Sequence, residues 1–245
     1  MEGGASRVWL SIPPLAGVDL SITHEVLLLW LAAVVTGVLV VTTCRRRTAV
    51  PHGTWRNLVD TLVDLVEGQV VDQALGRGGR RWAPFLLTLF FFILAGNLLG
   101  MVPVPGYAHS TTSSLSVTAA LALMVFAVTI AAALRVKGPG GFLRQFVPRG
   151  IPRWVRVLVV PIEVLSWLAK PVSLAIRLFA NMVAGHSLLF VFIGMEMTAA
   201  WFLKPFPLAG AVAMECFELF VMLIQAFIFT MLAGMYIREA VTAEH

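Results

Sequence analysis

Apolar residues come in long runs along this chain, and the breaks between runs cut it into membrane-length pieces. Val26 to Cys44 is nineteen residues without a charge, closed by Arg45-Arg46-Arg47. At about 1.5 Å per helical residue such a run crosses about 30 Å of hydrocarbon, and the arginines read as a stop. The next segment has another character. Trp55, Leu58, Val59, Leu62, Val63 and Val66 recur at helical spacing, while Asp60, Asp64 and Glu67 fall on a different face. This predicts an amphipathic helix over 54–76, lying on the membrane surface or on a partner.

Trp82 to Leu134 contains no Asp, Glu, Lys or Arg, and its 53 residues are too many for one span. Pro103-Val104-Pro105-Gly106 breaks it, so 82–134 reads as a helical hairpin of 82–102 and 115–134, followed by a basic loop over 135–156. Val157–Leu203 and Leu208–Ile237 are again apolar, with Lys204-Pro205-Phe206-Pro207 between them. As helices they would be about 70 Å and about 45 Å long, too long to stand upright in one bilayer. The pair over 157–238 must tilt steeply or bend, with Pro171 a candidate kink. The expected fold is a single all-α membrane domain over 1–245. It has about five membrane helices plus one amphipathic surface helix, the last two helices long, steeply tilted and antiparallel.

Composition decides against a soluble protein with a large core. The chain is 59% hydrophobic and 13% charged, against about 45–50% and about 25% in ordinary soluble domains. In the five-span layout 14 of the 18 basic residues fall on one side. By the positive-inside rule the N-terminus is then outside and the C-terminus cytoplasmic. The same distribution accounts for a pI near 9.9 and removes the case for nucleic acid as a partner. Gly138-Pro139-Gly140-Gly141 lacks the spacing and the lysine of a phosphate-binding loop. Cys44 and Cys216 lack metal-ligand spacing. Neither a cofactor nor a metal is expected, and no cleavable signal peptide is evident at the N-terminus.

The charges inside the last two runs carry the functional reading. Arg177 has six uncharged residues before it and eighteen between it and the next acid. An arginine at mid-membrane costs about 2.5–3.5 kcal/mol on insertion scales, and it stays charged. Ser173 and Asn181 lie four residues either side of Arg177 and share its face. Glu163 lies fourteen residues earlier, about 21 Å along the axis. His186, nine residues later, turns to the opposite face. On the last helix Glu218 and Gln225 are seven apart and share a face. In an antiparallel pair, opposed residues have a constant index sum. Arg177 with Gln225 sums to 402 and His186 with Glu218 to 404, so one register matches the depth of both pairs. An arginine merely paired within its own bundle is the structural alternative.

The stretch Lys170-Pro171-Val172-Ser173-Leu174-Ala175-Ile176-Arg177-Leu178-Phe179-Ala180-Asn181-Met182-Val183-Ala184-Gly185-His186 resembles the signature of subunit a of F-type ATP synthases. Leu223-Ile224-Gln225-Ala226-Phe227-Ile228-Phe229 is similar to the family's second signature. Weaker agreement runs through Gly96-Asn97-Leu98-Leu99-Gly100. The resemblance implies a stator subunit facing a rotating c-ring whose subunits each carry a membrane carboxylate. Peripheral-stalk b subunits, the other ATP synthase subunits and the lipid bilayer are its implied partners. It implies proton translocation through two half-channels, coupled to rotation and ATP synthesis, with no ATP chemistry on this chain alone. Arg177 falls on the family's essential arginine. His186 and Glu218 fall on the polar pair of the outer half-channel, with types exchanged relative to many bacterial relatives. Glu163 falls on the cytoplasmic exit side, Ser173 and Asn181 line the arginine's face, and Gln225 falls beside Arg177. Glu215, like Glu196, either wets a channel or pairs locally. Ser114 and Ser116 stand where the family usually carries Asp and Asn. The implied location is a bacterial inner membrane, with the mitochondrial inner membrane as the alternative. Outside the resemblance, two other readings stand beside it: a stand-alone proton-coupled transporter and a structural membrane scaffold.

Overall fold

A computed structural model describes residues 8–10, 22–45, 53–101, 115–144, 146–147 and 152–242. The Pro103–Gly106 break, Ser114 and part of the basic loop lie outside these residues. Strands β1 (Val8–Leu10) and β2 (Ile22–Thr23) form a short antiparallel pair. Every longer element is helical: α1 (His24–Arg45), α2 (Thr54–Leu65), α3 (Ala83–Gly100), α4 (Leu115–Arg144), α5 (Arg153–Thr198) and α6 (Pro205–Val241). Among the described residues, stretches starting at Gly79, Leu115, Trp154 and Pro205 are long and apolar enough to cross a membrane. A shorter apolar stretch, Val26–Val41, lies in α1. The chain is an all-α membrane protein of four to five spans plus one amphipathic segment.

The amphipathic segment does more than begin a helix. Gly53, at φ 114°, precedes α2, and α2 widens into a π-helical turn over Val66–Leu75. Gly76, at φ 69°, then leads into a 3-10 stretch over Gly76–Trp82, a backbone conformation glycine adopts without strain. Val66, Val70, Val71 and Ala74 are buried, and this stretch packs on α3 and α6. Arg238 Nη1 donates to the Ala74 carbonyl at 3.1 Å, fixing the end of α6 to it. The side chain of Trp55, the first residue of the apolar stripe, lies outside the described residues.

One boundary differs from the expectation for a physical reason. Charge in 135–144 suggests a loop, yet α4 continues to Arg144 and breaks at Gly138, where φ is 69°. Pro139 follows that break, where a residue with no amide hydrogen starts the second helical piece. α5 runs 46 residues through both Pro161 and Pro171. At about 1.5 Å per residue it is about 69 Å long.

The core forms where α3, α4, α5, α6 and the π-helical stretch converge. Leu86, Phe90, Ile93, Leu174, Leu178, Phe229 and Ile237 are its fully enclosed large side chains. α6 presents Met222, Ala226, Phe229, Thr230, Ala233, Ile237 and Ala240 as one buried stripe at helical spacing. Small residues on that stripe let backbones approach, as between helices in lipid generally. A Cβ on Gly234 would lie 3.1 Å from Leu75 Cδ1 and 3.2 Å from Val70 Cγ1.

Candidate functional site

α5 and α6 are joined by six residues, 199–204, which forces them antiparallel. Their register can be read from two glycines. A Cβ on Gly210 would lie 2.6 Å from the ring of Phe192, and a Cβ on Gly185 would lie 2.8 Å from Glu218 Oε1. These pairs have index sums of 402 and 403. They fall inside the 402–404 window expected for Arg177 with Gln225 and His186 with Glu218.

Glu218 is buried at 5% exposure and its carboxylate packs on the bare backbone of Gly185. The backbone of His186 follows directly, while its side chain lies outside the described residues. Glu215 is half-buried one turn away on the same helix. Gln225, also 5% exposed, sits one further heptad along the buried side of α6, and its Nε2 has no hydrogen-bond partner among the described residues. With an index sum of 403, Gln225 lies level with Leu178, which is fully buried.

Arg177 is level with Gln225 but on a different face. α5 buries a narrow stripe: Trp167, Pro171, Leu174, Ala175, Leu178, Met182 and Gly185. Its opposite side is exposed, and there Ser173, Arg177, Ala180, Ala184 and Ser187 follow one another at spacings of three and four. Arg177 thus stands on a smooth strip of small residues that no other described element covers. It has no ion-pair partner among the described residues. Asn181 is half-buried at the edge of the strip. Glu163 is half-buried two heptads earlier on α5, well removed from both Arg177 and Glu218.

A cluster outside the expected set joins α4, α5 and the last turns of α6. Lys170 Nζ pairs with Glu239 at 2.5 Å and lies 5.5 Å from the centre of the Tyr236 ring. Lys137 Nζ, from α4, donates to the Glu239 carbonyl at 3.3 Å. Lys170 is thereby held by the last turns of α6. Gly185 was passed over as well, although its place beside His186 in the first signature was a usable signal.

The family model described as ATP synthase A chain matches residues 26–238. That is most of the chain. The chain belongs to this family. Among named members, ATP synthase subunit a of Gluconobacter oxydans is 43% identical over 202 residues, covering 80% of this chain and 79% of that one. Subunit a of Anaplasma phagocytophilum is 38% identical over 232 residues, covering 95% and 94%. Subunit a of Granulibacter bethesdensis is 37% identical over 246 residues, covering 97% and 95%. Within the ATP synthase A chain family, then, this member carries its intramembrane arginine on the uncovered side of α5. Its buried acid faces the other way, into the α5–α6 seam.

Proposed function

We propose that this chain is the stator a subunit of an F-type ATP synthase, forming two proton half-channels against a c-ring. One observation carries the reading: Arg177 stands exposed and without a counter-ion among the described residues, on a strip of small side chains. Facing lipid, that charge would cost about 2.5–3.5 kcal/mol. A helix bearing a carboxylate at the same depth removes the cost, and the small residues let it approach closely. The scaffold reading needs a partner for Arg177 inside the chain and has none among the described residues.

In this mechanism protons enter from the outer side along Glu218 and His186 and neutralise a ring carboxylate, which can then face lipid. After rotation the carboxylate meets Arg177, whose permanent charge favours the ionised form and drives the proton off. The released proton leaves on the cytoplasmic side past Glu163. Arg177, between the two routes, repels a proton that would cross directly. Gln225 backs Arg177 from α6, Asn181 and Ser173 supply polar contacts on its face, and Glu215 hydrates the approach to Glu218. The clustering of basic residues supports an N-terminus outside and a C-terminus in the cytoplasm of a bacterial cell.

The test is proton pumping by the whole complex in vesicles, wild type against Arg177→Ala. The expected result is loss of ATP-driven pumping in a complex of normal subunit composition. Normal pumping would demote Arg177 to a structural charge. Proton-coupled uptake by the chain alone in liposomes would favour a stand-alone transporter instead.

A further inference from the structure

Where α3 begins and α4 approaches its kink, Arg81, Trp82, Ala132, Arg135 and Val136 line an open pocket of about 260 Å³. The Arg81 guanidinium sits 5.7 Å from the centre of the Trp82 ring, which gives it a flat apolar support. Arg81 and Arg135 immediately flank the uncharged run of residues 82–134. Each therefore marks the boundary of hydrocarbon on its own helix, and the pocket brings the two boundaries together. No acidic side chain lines it, and neither arginine has an ion-pair partner among the described residues.

We infer that this pocket binds the headgroup phosphate of an anionic phospholipid. A guanidinium is planar and offers paired N–H donors that match phosphate oxygens, and two of them here border one cavity. The depth is that of a lipid phosphate, at the edge of the apolar band on the basic side of the bundle. The rest of the wall is apolar. Val136 is 48% exposed, and Ala131 and Met124, four and eleven residues before Arg135 on its face of α4, continue an exposed apolar surface from the pocket. Acyl chains attached to the bound phosphate lie along that surface and are removed from no favourable contact by doing so. A free phosphate ion would gain nothing from such a wall, which is why the lipid is the occupant.

The experiment uses the intact ATP synthase complex in phosphatidylcholine vesicles doped with photoreactive phosphatidylglycerol, with adducts mapped by mass spectrometry to the 132–136 region. The expected result is labelling that falls several-fold in Arg81→Gln/Arg135→Gln and does not respond to millimolar inorganic phosphate. Val136→Trp fills the cavity without touching either charge, and labelling should fall in it too, so the outcome does not depend on the double variant assembling. Unchanged labelling in Val136→Trp, or in an assembled double variant, overturns the inference. Competition by inorganic phosphate overturns it in favour of a soluble anion. Cross-linking of the pocket to an acidic segment of another subunit, with no lipid adduct, overturns it in favour of a protein contact.

Discussion

The absence of a side chain at Gly185 is what lets the Glu218 carboxylate lie against the backbone of α5. Any larger residue puts a carbon 2.8 Å from Oε1 and 2.9 Å from Cδ, closer than atoms pack. In Gly185→Ala the carboxylate must swing away from the His186 segment or the helices must part. Overpacking of this kind costs about 1–3 kcal/mol, which a bundle of this size absorbs. The expected phenotype is therefore an assembled complex whose proton-pumping rate is several-fold lower, measured by a pH-sensitive dye in vesicles. Glu218→Gln keeps the shape and removes the titratable group, and it should slow pumping at least as much. Wild-type pumping in both variants would take Glu218 out of the proton route. The depth match of His186 with Glu218 was legible in the sequence because antiparallel helices conserve index sums. What the index sums leave open is which residue makes room, since that depends on rotation about each helix axis as well as depth.

At the scale of elements, the apolar stripe of the amphipathic segment was legible, but its destination was not. The stripe Leu58, Val59, Leu62, Val63 and Val66 says only that one face avoids water. Lipid, a partner and another helix of the same chain satisfy it equally; here Leu58 stays exposed, and the burial runs on from Val66 through Val70, Val71 and Ala74, where α6 covers it. The extension of α4 was hidden for a related reason. Arg135 and Lys137 look like loop residues, yet charged side chains are compatible with a helix that has left the hydrocarbon. Docking of the π-helical stretch on α6 rests on the bare backbone of Gly234, against Leu75 and Val70. Gly234→Val should push it off by a few tenths of an ångström or more. Amide hydrogen exchange over 66–75 should then quicken while exchange in the core of α3 stays slow. Equal protection in both proteins would mean that the contact with α6 does not hold the segment in place.

For the whole molecule, the informative feature is how little of α5 the rest of the chain covers. Val172, Ile176, Val183, Leu188 and Val191 are exposed along α5 on either side of Arg177 in the chain. Exposed apolar side chains alone suit lipid as well as protein, so they do not decide what lies there. The arginine does, because hydrocarbon penalises it and a partner carboxylate does not. The motif made Arg177 visible in the sequence. That its face is left open by the fold was not visible, because it depends on which side of α5 the other helices choose. A cysteine scan along α5 separates the faces, in a background with Cys44 and Cys216 changed to serine. Ser173→Cys, Ala180→Cys and Ala184→Cys lie on the exposed strip and should form disulfides with cysteines placed on the outer helix of the ring. Leu174→Cys, Leu178→Cys and Met182→Cys lie on the buried stripe at the same depths and should not. Cross-links that follow depth alone, without regard to face, would mean that the ring does not dock on this side of α5. Arg177, without an ion-pair partner among the described residues, would then need a different one.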